Sequence, residues 1–362
     1  MRIRIPHLYN VGAFMRHGLL LLILAATFLL QYCDDDVAEP GPVTHEFVWE
    51  VDTLFPDTFQ YLGLAIWGTS ETNVYVGGHE SDHGGRKSLF RYDDTGWNPI
   101  DLWRFGLGTI EAISGIDSSN FIVVGDGGVR GHAGRYRNGV WDTLRLPRLR
   151  PSVCGVHMVS PTEIYICGVD GVLRHDGTNY TWIVDSSRSV FDSAKGYPFW
   201  PRDIRKGADG NVYVITSFNS DGGKYVFRMT MYREGQDTVI DESIWRSEAG
   251  LLKTGWCLRS VGMDLLTGNN SAYSVSDGGY TLIHAIDGFL FTGSDIGHNF
   301  FALTFKKVMH FNGHDWQDIT PGSLRESKST YPIKNALYLD NTLFLVTQNG
   351  YKTLIYRGKH IN

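Results

Sequence analysis

Cysteine is scarce in this chain. Only Cys33, Cys154, Cys167 and Cys257 occur in 362 residues, and no two form a C-x-x-C pair, so the usual thiolate metal site is absent. Basic charge is also short: 33 Lys and Arg stand against 39 Asp and Glu, a formal charge of -6. A general nucleic-acid binder needs a basic face to displace counterions, so no nucleic-acid partner is expected. Helix formers dominate no long window after residue 35, which argues against a helical domain. The chain contains no G-x-S-x-G, no P-loop and no G-x-G-x-x-G opening a helix, and its H-E-x-x-H spacing, His79 to His83, runs from the Val74-Tyr75-Val76-Gly77-Gly78 strand pattern into Gly84-Gly85 and not along the helix that a metal site of that kind needs. Neither a cofactor nor a metal is therefore expected, and catalysis is the weaker reading.

What the chain does have is glycine and aromatics: 42 glycines, 10 tryptophans, 18 tyrosines and 19 phenylalanines. That mixture favours many short strands joined by tight turns. The N-terminus differs from the rest. Arg2, Arg4 and Arg16 precede an apolar run over residues 19–30. The run has the length of a signal-peptide core and is shorter than the roughly 20 residues of a membrane span. An uncleaved anchor is the alternative to a cleaved signal. The run ends in Leu29-Leu30-Gln31-Tyr32-Cys33, followed by Asp34-Asp35-Asp36. This segment resembles the processing site of bacterial lipoproteins and the acidic export signal of surface lipoproteins in Bacteroidota-type bacteria. Tyr32 departs from the small residue that family has before its cysteine. The resemblance implies a signal peptide over 1–32, a lipidated Cys33 and a location in the cell envelope. There the protein would be an outer-membrane lipoprotein, on the surface or in the periplasm, with the membrane as one partner. Residues 33–43, with Pro40, Gly41 and Pro42, read as a tether.

From 44 to 362 the chain repeats itself. Ile66-Trp67-Gly68-Thr69-Ser70 leads into Asn73-Val74-Tyr75-Val76-Gly77, then Leu89-Phe90-Arg91-Tyr92 and Gly96-Trp97. The same order recurs from Ile113 to Trp141 and from Val156 to Trp182. The second-strand anchors Tyr75, Ile122, Tyr165, Tyr213, Phe301 and Phe344 are separated by 47, 43, 48, 88 and 43 residues. The 88-residue interval holds two steps, so a degenerate fifth unit is expected, with strands near 257–261, 263–267, 272–275 and 280–285. A period near 44 with four strands per unit is the pattern of a propeller blade. The repeat also resembles bacterial β-propellers whose blades carry a W-G-x-S start, an aromatic-V-x-G strand and an aromatic-D/N-G turn before tryptophan. The expected fold is an all-β, seven-bladed β-propeller over residues 44–362.

The last unit stops after three strands, and an orphan alternating segment, His45-Glu46-Phe47-Val48-Trp49-Glu50-Val51-Asp52-Thr53, lies at the other end. Pairing the two would close the ring and cover a bare edge, with Phe47, Trp49 and Val51 expected on the buried face. Cys154 and Cys167 flank one hairpin turn and are a candidate disulfide in an oxidising compartment, or else two small buried hydrophobes. His310 and His314 flank another turn and are expected as exposed polar residues. Glu111, Asp203 and Asp264 are candidate carboxylates, which sequence cannot place at a working separation. The candidate binding residues are Tyr197, Phe199, Trp200 and Arg202, on an insertion between the third and fourth units, where aromatics with polar tips suit recognition. The leading reading is an exported, lipid-anchored propeller that binds a protein or glycan at one face. A polysaccharide hydrolase or lyase is the first alternative. An assembly factor or scaffold for an envelope complex is the second, on a resemblance to photosystem-assembly-type propellers.

Overall fold

The computed structural model describes residues 45–361, apart from 55–60, 81–86, 128–130, 148–152, 186–199, 220–224, 234, 245–257, 262–263, 268–270, 287–289, 295, 305, 327–332 and 351. Cys33, Cys257, the signal segment and the tether lie outside the described residues. Among those described, the only helical pieces are a 3-10 turn at Trp103–Phe105 and a four-residue helix at Gly322–Arg325. No described helix is long and apolar enough to cross a membrane.

The strands pair antiparallel in sets of four, called blades below. The first blade holds β2 (Tyr61–Ser70), β3 (Asn73–Glu80), β4 (Leu89–Tyr92) and β5 (Trp97–Ile100). The second holds β6 (Thr109–Asp117), β7 (Asn120–Asp126), β8 (Gly131–Arg137) and β9 (Val140–Leu144). A single bridge, His79 to Thr109, links these two into one sheet. The third holds β10 (Val153–Ser160), β11 (Glu163–Gly168), β12 (Gly171–His175) and β13 (Tyr180–Asp185). The fourth holds β14 (Trp200–Lys206), β15 (Val212–Asn219), β16 (Tyr225–Arg233) and β17 (Gln236–Ile244). The degenerate fifth unit is present as β18 (Arg259–Val261), β19 (Asp264–Thr267), β20 (Ala272–Ser276) and β21 (Gly279–His284). The sixth holds β22 (Leu290–Gly293), β23 (Phe300–Leu303), β24 (Val308–Phe311) and β25 (Trp316–Asp318). The last combines β26 (Ile333–Leu339), β27 (Thr342–Asn349) and β28 (Lys352–His360) with β1 (Phe47–Leu54) from the other end of the chain.

Local chemistry explains the hairpins. Asn138-Gly139, Asp277-Gly278 and Asp340-Asn341 all take positive φ, the two-residue turn whose twist matches flanking strands. The β-branched and aromatic second strands are buried on both faces, as Val74-Tyr75-Val76 and Leu343-Phe344-Leu345 are.

Packing then closes the ring. Seven apolar clusters each fill the gap between two consecutive blades. One of them joins Ile122, Val124 and Ala133 of the second blade to Val156, Ile164 and Leu173 of the third. Another joins Phe344, Val346 and Ile355 of the last blade to Tyr61, Val74 and Phe90 of the first. The first and last blades therefore share a core in the same way as neighbours in sequence.

The N-terminal strand completes the last blade. β1 pairs with β28 from Phe47 opposite His360 to Leu54 opposite Thr353. Trp49 faces Gly358, where a Cβ would sit 2.7 Å from the indole ring, so only glycine lets the ring lie flat across the strand. One expectation is corrected: Val51 is 46% exposed. Phe47 and Trp49 pack toward the sixth blade, whereas Leu54, on the opposite parity, is buried toward the first. Strand twist moves the buried face from one side to the other within eight residues, so simple alternation failed. The histidine expectation is corrected too. His310 is fully buried, stacked on Phe301 at 4.7 Å, with Nε2 3.1 Å from Asn299 Oδ1 and Nδ1 3.1 Å from His45 Nδ1. Of the two histidines flanking that turn, only His314 is exposed.

Candidate functional site at the channel

The innermost strands of the ring surround a cavity of about 420 Å³, to which all seven blades contribute. Five of those strands carry a bulge at the same point. The register skips Leu64, Glu111, Cys154, Arg202 and Lys334 in β2, β6, β10, β14 and β26. A bulge frees one residue from the ladder and re-aims its side chain. Leu64, Glu111, Cys154 and Arg202 consequently line the cavity. Three residues farther along stand Trp67, Ser114, His157, Arg205 and Leu337, which line it as well, joined by Arg259 and Thr292 from the fifth and sixth blades. The channel thus presents one residue per blade from a common position in the repeat.

Asp203 is the hub of this lining. It is 7% exposed and accepts from the backbone N–H of Ile204 (2.9 Å) and Leu258 (3.1 Å). Arg205 and Arg259 each bring a guanidinium nitrogen to it, at 2.9 and 3.2 Å. Arg205 also donates to the Val156 carbonyl at 3.1 Å. Arg259 continues to Asn335 Oδ1 at 3.0 Å, and the Asn335 amide donates to the Leu64 carbonyl at 3.0 Å. The chain of bonds runs from the third blade through the fourth, fifth and last to the first. Neutral links repeat the device elsewhere: Ser114 Oγ accepts from Met158 N at 2.9 Å and Thr292 Oγ1 from Tyr338 N at 3.2 Å.

Two titratable groups here are shifted. Burial, and secondarily the Arg205 charge, lower His157 to about 3, so its imidazole is neutral at pH 7. Burial, then the Asp126 charge, raise the Glu111 carboxyl above its ordinary range, partly countered by Arg202. Glu111 and Asp203 therefore differ in kind. Asp203 is held by four donors, whereas burial and the Asp126 charge work against the charged form of Glu111. Asp264 is not part of the cavity lining; it accepts from Ser274 Oγ within the fifth blade.

Of the residues expected from sequence to bind a ligand, Arg202 reaches the channel, where its Nε donates to Ser217 Oγ at 2.7 Å. Trp200 opens β14 opposite Ser217 in the ladder. Tyr197 and Phe199 lie outside the described residues. Cys154 and Cys167 are free thiols. The ladder pairs Cys167 with Gly155, one residue from Cys154, and the bulge at Cys154 restores their proximity. Cys154 Sγ donates to the Pro201 carbonyl at 2.5 Å. Burial, and then contact with Cys154, push the Cys167 thiol well up, so it carries little thiolate. Sequence reasoning missed Trp67, His157, Arg205, Arg259 and Asn335. Aligning the repeat units on their inner strands would have placed the first four in one column.

No protein-family model and no curated protein matches the chain. Among solved structures it is similar to a catalytically inactive virginiamycin B lyase from Staphylococcus aureus with quinupristin. The TM-score is 0.60 at 14% identity, over 87% of this chain and 100% of that one. It is also similar to the WD40 β-propeller domain of Doa1, with a TM-score of 0.49 at 9% identity, over 87% and 98% of the two chains. Likeness at such identity concerns the fold, and the fold of this chain is a β-propeller.

Proposed function

We propose that this protein is an exported, lipid-anchored β-propeller that binds a protein or a glycan without catalysis, with the channel mouth as its recognition site. The observation that carries the reading is the state of Asp203. Most glycoside hydrolysis needs two carboxylates that can exchange protons or attack. Here one of the two channel carboxylates is committed to two guanidinium groups and two backbone N–H groups. That leaves Glu111 beside Arg202, an arrangement suited to recognition of a polar ligand. The lyase alternative draws on the same residue, since a carboxyl with a raised pKa is what proton transfer at neutral pH requires.

The anchor reading rests on Cys33 and the aspartates after it. One experiment addresses both halves. The full chain is expressed in a Gram-negative host with a palmitate analogue, purified from the membrane fraction and used to capture glycans and envelope proteins. Labelling lost in Cys33→Ala, together with capture weakened in Arg202→Ala, is the expected result. Labelling unchanged in Cys33→Ala would remove the lipid anchor. Captured polysaccharide returned in shortened or unsaturated form would replace binding by catalysis.

A further inference from the structure

We infer that the gap between the second and third blades, away from the channel, holds a small monovalent anion on Arg135, with Tyr180 and His175 as neutral donors. Four blades pair an arginine with the second-strand anchor: Arg91 with Tyr75, Arg135 with Ile122, Arg174 with Tyr165 and Arg357 with Phe344. The repeat thus supplies its own comparison. Arg91 and Arg174 are exposed, and Arg357 is half-buried. Arg357 meets Glu50 at 2.8 Å and Asp52 at 2.9 Å and donates to the Tyr92 hydroxyl at 2.7 Å. Arg135 is the most buried of the four, at 4% exposed. Yet its Nε has no hydrogen-bond partner, and no ion pair reaches it among the described residues. Where Arg357 has Glu50 on the outer strand, Arg135 has Asp142, one methylene shorter and exposed. Arginine keeps its charge at physiological pH, and a buried charge without a partner is strongly destabilising. A ligand of opposite charge removes that penalty.

Strand alternation sets what surrounds the guanidinium. Arg135 follows Ala133 on the face of β8 turned to the third blade, and His175 follows Leu173 on the face of β12 turned to the second. Ala133 and Leu173 share one core. Tyr180 packs on the same core, its ring centroid 4.5 Å from that of His175, and its hydroxyl has no hydrogen-bond partner. Burial pushes Tyr180 up to about 12, so the hydroxyl keeps its proton. Burial, and then the Arg135 charge, lower His175, which is neutral at pH 7. Its Nδ1 accepts from Gly177 N at 3.2 Å, which leaves the proton on Nε2. The group therefore offers a guanidinium, a hydroxyl and an imidazole N–H, all donors. Arg137, two residues along the same face, adds to the positive field. Asp176, beside His175, is taken by the backbone N–H groups of Thr178 and Asn179 at 2.9 and 2.7 Å. One buried cation beside neutral donors matches a single negative charge, and 4% exposure admits only a small one. Chloride and small carboxylates share that chemistry.

The test uses the full chain in a neutral detergent, with sodium gluconate as a background of large anions. Constant ionic strength separates binding from screening. Replacing gluconate by acetate or chloride should raise the melting temperature by about 2 °C or more and then saturate. The tighter of the two probes identifies the ligand as an oxyanion or a halide. Arg135→Met keeps the apolar stem and removes the charge. It should abolish the saturable shift and, in gluconate alone, melt no lower than the unaltered protein. Tyr180→Phe removes one donor. It should leave the melting temperature in gluconate unchanged and weaken anion binding several-fold. Equal melting temperatures in gluconate, acetate and chloride would overturn the inference. A saturable shift that survives in Arg135→Met would place the anion elsewhere and overturn it too. So would an Arg135→Met variant that melts well below the unaltered protein in gluconate, because the protein itself would then satisfy the arginine. Anion affinity unchanged in Tyr180→Phe would overturn the donor set.

Discussion

At the scale of single residues, two buried histidines connect packing to pH. His157 lines the channel and His310 sits under the closing strand, and both are lowered to about 3, first by burial. His45 and His360 add to the lowering at His310, while Asp315 opposes it. In the unfolded chain each titrates near 6.5. Between those values the unfolded state holds the proton and the folded state does not, so protons favour unfolding. Stability from these groups is complete above about pH 6.5 and declines as pH falls toward 3, by up to about 1.4 kcal/mol per pH unit for each histidine. Urea melts at pH 7, 6 and 5 should show the decline before most carboxylates titrate. Replacing His310→Gln should flatten it by about half. A stability that stays level down to pH 5 would contradict the burial assigned to both rings.

At the scale of elements, β1 decides whether the ring is closed. Its removal strips Leu54 from the core shared by the last and first blades and uncovers Tyr356 beneath Trp49. It also breaks the ion pairs from Arg357 to Glu50 (2.8 Å) and Asp52 (2.9 Å) and bares the edge of β28. Deleting residues 44–54 should cost several kcal/mol, since a fully buried leucine alone contributes roughly 1.5–3 kcal/mol. The exposed edge should also promote aggregation. The variant Gly358→Val keeps the strand but drives a side chain into the Trp49 ring, and should lower the melting temperature without deletion. A truncated chain that stays monomeric with an unchanged melting temperature would refute the closing role. This element was legible in the sequence because an orphan alternating strand and a three-strand last unit need each other. Its buried face was not, because twist depends on the blades packed on either side.

At the scale of the whole molecule, the bonds from Val156 through Arg205, Asp203, Arg259 and Asn335 to Leu64 tie five blades across the channel. Removing the hub leaves two half-buried arginines and two backbone N–H groups without their shared acceptor. Asp203→Ala should therefore cost about 3–5 kcal/mol in denaturant unfolding, far more than an average substitution. A loss within experimental error would show that the strap is dispensable. The amino-acid sequence by itself determined the blade: strand order, turn chemistry and a period near 44 are local properties, repeated often enough to read even through a degenerate fifth copy. It determined too that the orphan strand β1 would pair with the last blade. The tertiary structure alone decided the site. Arg205, Arg259 and Asn335 are separated by 54 and 76 residues, and each reads in isolation as an ordinary polar residue of a short strand. Only closing the ring points every inner strand at one axis, so their meeting depends on contacts far apart in the chain, which no local pattern records.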